Sequence, residues 1–354
     1  MHDVIIIGGG QSGLAAARAA LEAGLTPLVL EAGPEPTGSW PHYYDSLTLF
    51  SPAGYSGSPG APFPGDPERY PTRDEVVAHL RTYAASLDVD IRTRTRVTAV
   101  TTEDSGRFLV HTEAGDPLTA SGVIAASGSF GNPHRPVLPG QESFTGEILH
   151  VADYRDPKPY AGQRVVVVGG GNSAVQVGFE LAELAEVTLA TRQPVTFVPQ
   201  RTDGRDLHYY LRETGFDDLP PAWLAQLVST TLVLDTGEYR HAVESGRLRR
   251  RPMLHGLDRD SVVWTDGQRE PVDTILLATG YRPHLDYLEP LGTLDAGIPR
   301  HAGGLSTTHV GLAYVGLEFQ RSFSSNTLRG AHRDAEYVMG PLAAHVRKAG
   351  RLVA

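Results

Sequence analysis

The stretch Val4-Ile5-Ile6-Ile7-Gly8-Gly9-Gly10-Gln11-Ser12-Gly13 has a counterpart 161 positions later, Val165-Val166-Val167-Val168-Gly169-Gly170-Gly171-Asn172-Ser173-Ala174. In each, a four-residue apolar run ends in three glycines and opens on a helix-length segment of small and apolar residues. That pattern reads as strand, glycine turn and helix. A further strand follows each helix: Leu28-Val29-Leu30 closing on Glu31, and Val187-Thr188-Leu189-Ala190 closing on Thr191-Arg192. The spacing predicts two copies of one βαβ phosphate-binding unit.

The residue types fit that use. Gly8 and Gly169 permit the tight turn, Gly10 and Gly171 let the backbone approach a pyrophosphate, and Gly13 allows close packing of helix on strand. Ala174 is a tolerated replacement at the third position. Gln11 and Ser12, with Asn172 and Ser173 in the second copy, complete the two loops, whose helix N-termini would face the phosphates. Glu31 lies 23 positions past Gly8, where a carboxylate takes the two ribose hydroxyls of an adenosine. At the same distance past Gly169 the chain has Arg192 beside Thr191, which suits a 2′-phosphate. A solvated strand-end charge is the other reading of Arg192. The two units are therefore expected to hold different dinucleotides, FAD on the first and NADPH on the second, with NADH as an alternative donor. A flavin and a nicotinamide on one chain imply hydride transfer between them.

Composition narrows the classes further. The 354 residues contain no cysteine, which excludes disulfide scaffolds, thiolate metal sites and an internal dithiol relay. The fourteen histidines are scattered without metal-ligand spacing, so no metal is expected. A formal charge of −10 disfavours nucleic acid and anionic lipid as partners. No apolar run is long enough to span a bilayer, and the first strand starts at Val4, so a cytoplasmic location is expected.

Between the units, Gly38-Ser39-Trp40 precedes a proline- and glycine-rich loop with Tyr55, Phe63 and Tyr70. Its aromatics serve either a flavin wall or a small core. Thr72 with Glu75 reads as a capping box opening a helix to about Leu87. Alternating runs at 92–101 and 108–112 and an apolar run at 123–126 predict a small β-meander returning to the main sheet. Gly128, just past it, offers a second close approach. A long helix is expected from near Ser325-Asn326-Thr327 to about Arg347, its N-terminal amides facing a flavin carbonyl. Ser39, Trp40, Gly128, Asn326 and Thr327 join the cofactor-binding set on these grounds, together with Ala32 and Val97. The expected fold is α/β with two Rossmann-like dinucleotide-binding domains. The NADP domain (158–282) is inserted into a discontinuous FAD domain (1–157 and 283–354). Residues 199–258 have no template in the first unit and are the candidate for substrate access or a lid, although most of them read as a solvated helical pair.

Phe144-x-Gly146-x-x-x-His150-x-x-x-Tyr154, just before the second glycine loop, resembles the fingerprint of flavin-containing monooxygenases. The order GGGQSG, GSW, FxGxxxHxxxY, GGGNSA and LATGY is similar to that family along nearly the whole chain, particularly to its short bacterial members. The resemblance implies that NADPH reduces FAD and that the reduced flavin takes up O₂ at C4a. One oxygen atom then passes from the (hydro)peroxyflavin to a small sulfide, amine or ketone. It also implies that His150 and Tyr154 fix the junction between domains. Two features depart from the family pattern. The loop after Trp40 has no asparagine, and the strand-end pair is Thr191 then Arg192 where typical members have Arg then Thr. The alternatives are an NAD(P)H oxidoreductase or oxidase serving a quinone, an external disulfide or O₂ without oxygen insertion, and a nicotinamide-responsive binding flavoprotein. No catalytic acid or base is nominated. The expected partners are a small-molecule substrate and O₂, with a homodimer left open.

Overall fold

The computed structural model describes residues 2–227 and 232–353. Strand β1 (His2–Ile7), helix α1 (Gln11–Glu22) and strand β2 (Pro27–Leu30) form the first unit. Helix α2 (Arg73–Ser86) follows, opened by the expected capping box between Thr72 and Glu75. The edge strand β3 (Asp90–Arg92), the hairpin β4 (Val97–Thr102) and β5 (Phe108–Thr112), and the long β6 (Leu118–Ala125) complete this part. The run expected as one strand at 92–101 is broken in two. Arg94 adopts a positive φ of 51°, and the N–H groups of Arg94 and Thr95 turn back to the carbonyls of Gly33 and Glu31.

β3, β2, β1 and β6 lie parallel in that order, and Leu312–Tyr314 pairs in parallel with β6. The meander β4–β5 joins antiparallel to the first half of β6. A second sheet is wholly parallel. Its order is Arg249–Pro252, β9 (Glu186–Thr191), β8 (Arg164–Val168), Thr274–Leu277 and β7 (Glu147–His150). Helix α3 (Asn172–Leu181) links β8 to β9. Its central strands are buried on both faces, which is why they read as unbroken apolar runs rather than alternating ones. Every strand of the second sheet lies, in chain order, between β6 and the returning Leu312–Tyr314. The fold is thus α/β, with one dinucleotide-binding unit inserted into another.

The glycine turns behave alike. Gly8 and Gly169 take φ of +107° and +148°, and each donates its N–H to the strand beyond the helix, at Leu30 and Ala190. α1 buries Leu14, Ala15, Ala16, Ala17, Ala19 and Ala20 against the sheet and the C-terminal helix Ala331–Val353, which presents Ala335, Val338, Met339, Leu342 and Val346. The alanines keep these helices close, and the apolar spacing of three and four gives the C-terminal helix one packed face.

Two expectations need correction. The C-terminal helix begins at Ala331, not near Ser325. Ser325 Oγ accepts the N–H groups of Arg321 and Ser322, and the Thr327 carbonyl accepts from both Gly330 and Ala331, so 322–330 is a serine-rich turn that precedes the helix. The segment 199–258 is not a helical pair. Thr196–Pro199 pairs in parallel with Leu232–Asp235, a two-residue hairpin joins Arg201–Thr202 to Arg205–Asp206, three short helices follow one another, and Arg249–Pro252 edges the second sheet. No helix among the described residues is long and apolar enough to cross a membrane.

A methyl group at Gly13 would sit 1.8 Å from the Gly8 carbonyl oxygen, whereas one at Gly340, on the exposed face of the last helix, would meet nothing within 4 Å. Gly13→Ala is expected to lose about 3 kcal/mol or more, the upper range for overpacking. Gly340→Ala has space around it but precedes Pro341, whose ring crowds the Cβ of the residue before it, so the helix-propensity gain is offset and stability should stay within about 0.5 kcal/mol of wild type. Urea midpoints of the two variants check the contrast.

Candidate functional site

A cavity of about 1320 Å³ opens at the carboxyl ends of β1 and β2, where Ile7 and Leu30 give way to Gly8 and Glu31. From the first unit its wall takes Gly8, Gly10, Gln11, Ser12, Glu31 and Ala32, and from other segments Ser39, Trp40, Val97, Gly128, Asn326 and Thr327. Asn172 and Ser173 reach it from the second glycine loop. Gly13 lies behind the wall, packed on Gly8. Gly169, Gly171, Ala174, Thr191 and Arg192 are outside this wall. Gly171 caps α3, Ala174 and Thr191 are buried, and Arg192 is exposed at the end of β9.

Three distant segments are tied together at the centre. Trp40 Nε1 donates to Gln11 Oε1 at 2.9 Å, and Gln11 Nε2 donates to the Asn326 carbonyl at 2.8 Å. One amide side chain therefore bridges the first glycine loop, the loop after it and the turn before the last helix. Glu31 is buried, each carboxylate oxygen accepting one backbone N–H at 2.6 Å, from Gly9 and Gly33. An ionised carboxylate has about four acceptor sites, so roughly two remain for hydroxyls of a ligand. Both helix starts lack a side-chain cap and have no acid in the first turn: α1 begins at Gly10 and α3 at Gly171. Their first-turn amides keep their hydrogen-bonding capacity for an anion.

At the second unit, Asn172 is spent on structure. Its Oδ1 accepts the Leu234 N–H at 3.0 Å and so holds the strand Leu232–Asp235 against α3. Thr191 Oγ1 accepts from Arg250 Nε at 2.8 Å. Arg250 thereby joins Arg192 at the carboxyl end of β9.

The fingerprint residues sit where the sheets meet. His150 is fully buried, its Nδ1 accepts the Ala152 N–H, and its Nε2 lies 3.2 Å from the Gly280 carbonyl, which fixes Nε2 as the protonated nitrogen. Tyr154, also buried, donates to Glu180 on α3 at 2.8 Å, and Tyr44 from the loop after Trp40 donates to Gln176 on the same helix at 2.7 Å. Burial holds His150 below its ordinary value, with the Arg135 charge adding to the effect. Burial does the same to His79, His301 and His332.

A family model described as pyridine nucleotide-disulphide oxidoreductase matches residues 5–213. A flavin-containing monooxygenase structure from Stenotrophomonas maltophilia is 31% identical, with a TM-score of 0.83 over 100% of this chain and 99% of its own. The indole-3-pyruvate monooxygenase YUCCA1 of Oryza sativa subsp. japonica is 31% identical across 83% of this chain and 79% of its own. The chain belongs to the flavin-containing monooxygenase family. An uncharacterized CzcO-like oxidoreductase of Geobacillus kaustophilus, 29% identical over 97% of this chain, is a further relative. The enzyme is an oxidoreductase.

Sequence reasoning missed two groups. Nothing local marks Arg250 as the neighbour of Thr191 across a parallel edge. Asp206 and His208 form a buried pair with 2.7 Å between Asp206 Oδ1 and His208 Nδ1, and His208 lines the cavity. The D-x-H spacing carried that signal, as an N-cap whose second following residue folds back on it.

Two predictions follow from this geometry. Gln11→Leu removes both bridging hydrogen bonds and should lower stability by about 1–2 kcal/mol in the ligand-free protein, read from denaturant midpoints. The four histidines have folded values below 6.5, so the unfolded chain binds protons first as the pH falls. Their contribution is intact above 6.5 and is lost as pH falls from there through the folded values. The thermal midpoint is expected to be lower at about pH 5.5 than at about pH 7.5; a higher one would contradict the assignment.

Proposed function

We propose that this enzyme is an FAD- and NADPH-dependent monooxygenase that inserts one atom of O₂ into a small sulfide, amine or ketone. The observation that carries the reading is the pair of uncapped helix N-termini, each behind a glycine turn, with both glycine loops contributing to a single cavity. Gly8, Gly10, Gln11, Ser12 and Gly13 cradle the FAD pyrophosphate, Glu31 and Ala32 hold the adenosine ribose, and Val97 lies alongside. Ser39, Trp40, Gly128, Asn326 and Thr327 enclose the ring system. Gly169, Gly171, Asn172, Ser173 and Ala174 form the NADPH loop, with Thr191 and Arg192 at the 2′-phosphate. Residues 1–157 and 283–354 make up the FAD-binding part and 158–282 the NAD(P)H-binding part, with β7 lending an edge strand to the latter.

When bound and reduced by NADPH, FAD supplies electrons to O₂ and passes one oxygen atom to the substrate. The chain's residues bind, orient and exclude water. The relay from Trp40 through Gln11 to Asn326 fixes the loop that faces the ring. Phe50, Phe216, Phe319 and Phe323 give the far side of the cavity its aromatic lining.

One observation favours a second reading. The loop after Trp40 carries no asparagine, and Phe50 stands there on the cavity wall. Loss of a polar group at that place suits an oxidase or reductase that hands electrons to O₂, a quinone or an external disulfide. Turnover with ¹⁸O₂ and methyl phenyl sulfide separates the two. The monooxygenase yields one labelled oxygen per NADPH, whereas peroxide equal to NADPH consumed, with no oxygenated product, assigns the oxidase.

Arg192→Ala should weaken use of NADPH about tenfold or more while sparing NADH, since a charge-assisted phosphate contact contributes roughly 1.5–3 kcal/mol. An equal loss with both nucleotides would remove the assignment.

A further inference from the structure

The Asp206–His208 pair is a built site that the reading above does not use. Asp206 accepts four hydrogen bonds: from the His208 backbone N–H at 2.8 Å and His208 Nδ1 at 2.7 Å on one oxygen, and from Tyr70 at 2.6 Å and Gln200 at 2.7 Å on the other. Burial alone would raise the carboxyl, but donation from the His208 ring, Tyr70, the His208 backbone and Gln200 outweighs it and keeps Asp206 below its ordinary value. The carboxylate is ionised and its acceptor capacity is filled, so it fixes Nδ1 of His208 as an N–H. His208 is 1% exposed, stacks on Phe50 with ring centroids 6.1 Å apart, and lies on the cavity wall. Among the described residues the hydrogen bonds of His208 run through its backbone N–H and Nδ1, and none through Nε2.

We propose that His208 is a catalytic base that takes the proton from an amine substrate arriving as its ammonium ion, with Asp206 as its positioning residue. This rests on the monooxygenase reading and names its substrate class. The step balances: an N–H bond of the ammonium breaks, the electron pair stays on nitrogen, and the proton goes to Nε2. Nitrogen becomes the nucleophile, and the imidazolium charge is offset by Asp206. The wall favours an amine over an acid. With a neutral imidazole the pair carries one negative charge. Both arginines of the wall have a carboxylate partner, Arg329 the buried Asp217 at 2.8 Å and Arg96 the exposed Glu113 at 3.3 Å. The positive charge is conserved in the step and passes to the imidazole, where it lies directly against Asp206. A thioether has no such proton and does not call on His208 in this way.

The test is kcat/KM of the flavin-loaded enzyme for benzylamine and for methyl phenyl sulfide across pH. The other ionisable groups packed around His208 are Asp206, Tyr55 and Tyr70, with Glu68, Arg201, Arg212 and Glu213 around those phenols. Burial raises Tyr55, and burial together with Asp206 pushes Tyr70 up to about 12, so neither phenol ionises in the range used. Wild type should turn over the amine at pH well below the amine's own pKa, where the ammonium form dominates. In His208→Gln the ratio of amine to sulfide kcat/KM should fall at least tenfold, and the amine profile should rise with pH up to the amine's own pKa. Asp206→Asn should lower the same ratio by a smaller factor, because the base remains while its positioning carboxylate is lost. An equal loss for both substrates, or an unchanged amine profile in His208→Gln, overturns the proposal. Failure of the monooxygenase reading shows differently, as wild type that yields no oxygenated product from either substrate. A benzylamine titration of the bound flavin spectrum then decides the dyad alone: wild type should bind the amine at least tenfold more tightly than His208→Gln, and equal affinity overturns the assignment.

Discussion

Everything at the site depends on how closely α1 can approach the end of β1. The Gly8 carbonyl oxygen occupies the space a methyl at Gly13 would need, and the backbone of Ala126 occupies what a side chain at Gly8 would need. Two chain segments and a helix start thus meet with backbone alone between them. That contact aims the first-turn amides of α1 at the cavity. It also explains why the start of the helix carries Gln11 and Ser12 rather than a capping acid: the anion for those donors is to come from a ligand.

Around that start the cavity is closed by segments far apart in the chain. A glutamine amide has a donor and an acceptor on one rigid plane, so Gln11 can receive the Trp40 indole N–H and deliver its own to the Asn326 carbonyl without competition between the two. Asp217 works similarly on the opposite side. Its carboxylate takes Arg329 in a two-pronged contact, with both distances 2.8 Å, while its carbonyl accepts from Ser324 at 3.4 Å. The segment with no counterpart in the first unit is therefore docked on the turn before the last helix, which places His208, Leu211 and Phe216 on the cavity.

The two glycine loops, their strands and the fold class were legible because they rest on local constraints: a positive φ, a helix start and an apolar strand buried on both faces. The capping box at Thr72 was legible for the same reason. What the sequence concealed was either locally ambiguous or decided by partners distant in the chain. The last helix starts late because serine hydroxyls compete for backbone amides in 322–330, and Ser, Asn and Thr as a group signal a helix start as readily as a turn. Arg250 became a neighbour of Thr191 only when Arg249–Pro252 added itself to the second sheet in parallel. The pairing of Asp206 with His208 had a local signal, but the full set of donors to Asp206 did not. Tyr70, which helps to fix that carboxylate, lies 136 positions away, and no window of sequence contains both.

Tyr44 and Tyr154 bond to Gln176 and Glu180, four positions apart and hence on one side of α3. Tyr70 to Asp206 and Arg329 to Asp217 tie the inserted part to its host elsewhere. Bonds at three separate places oppose turning as well as sliding, so the inserted part sits on its host as a shelf on three brackets rather than as a door on a hinge.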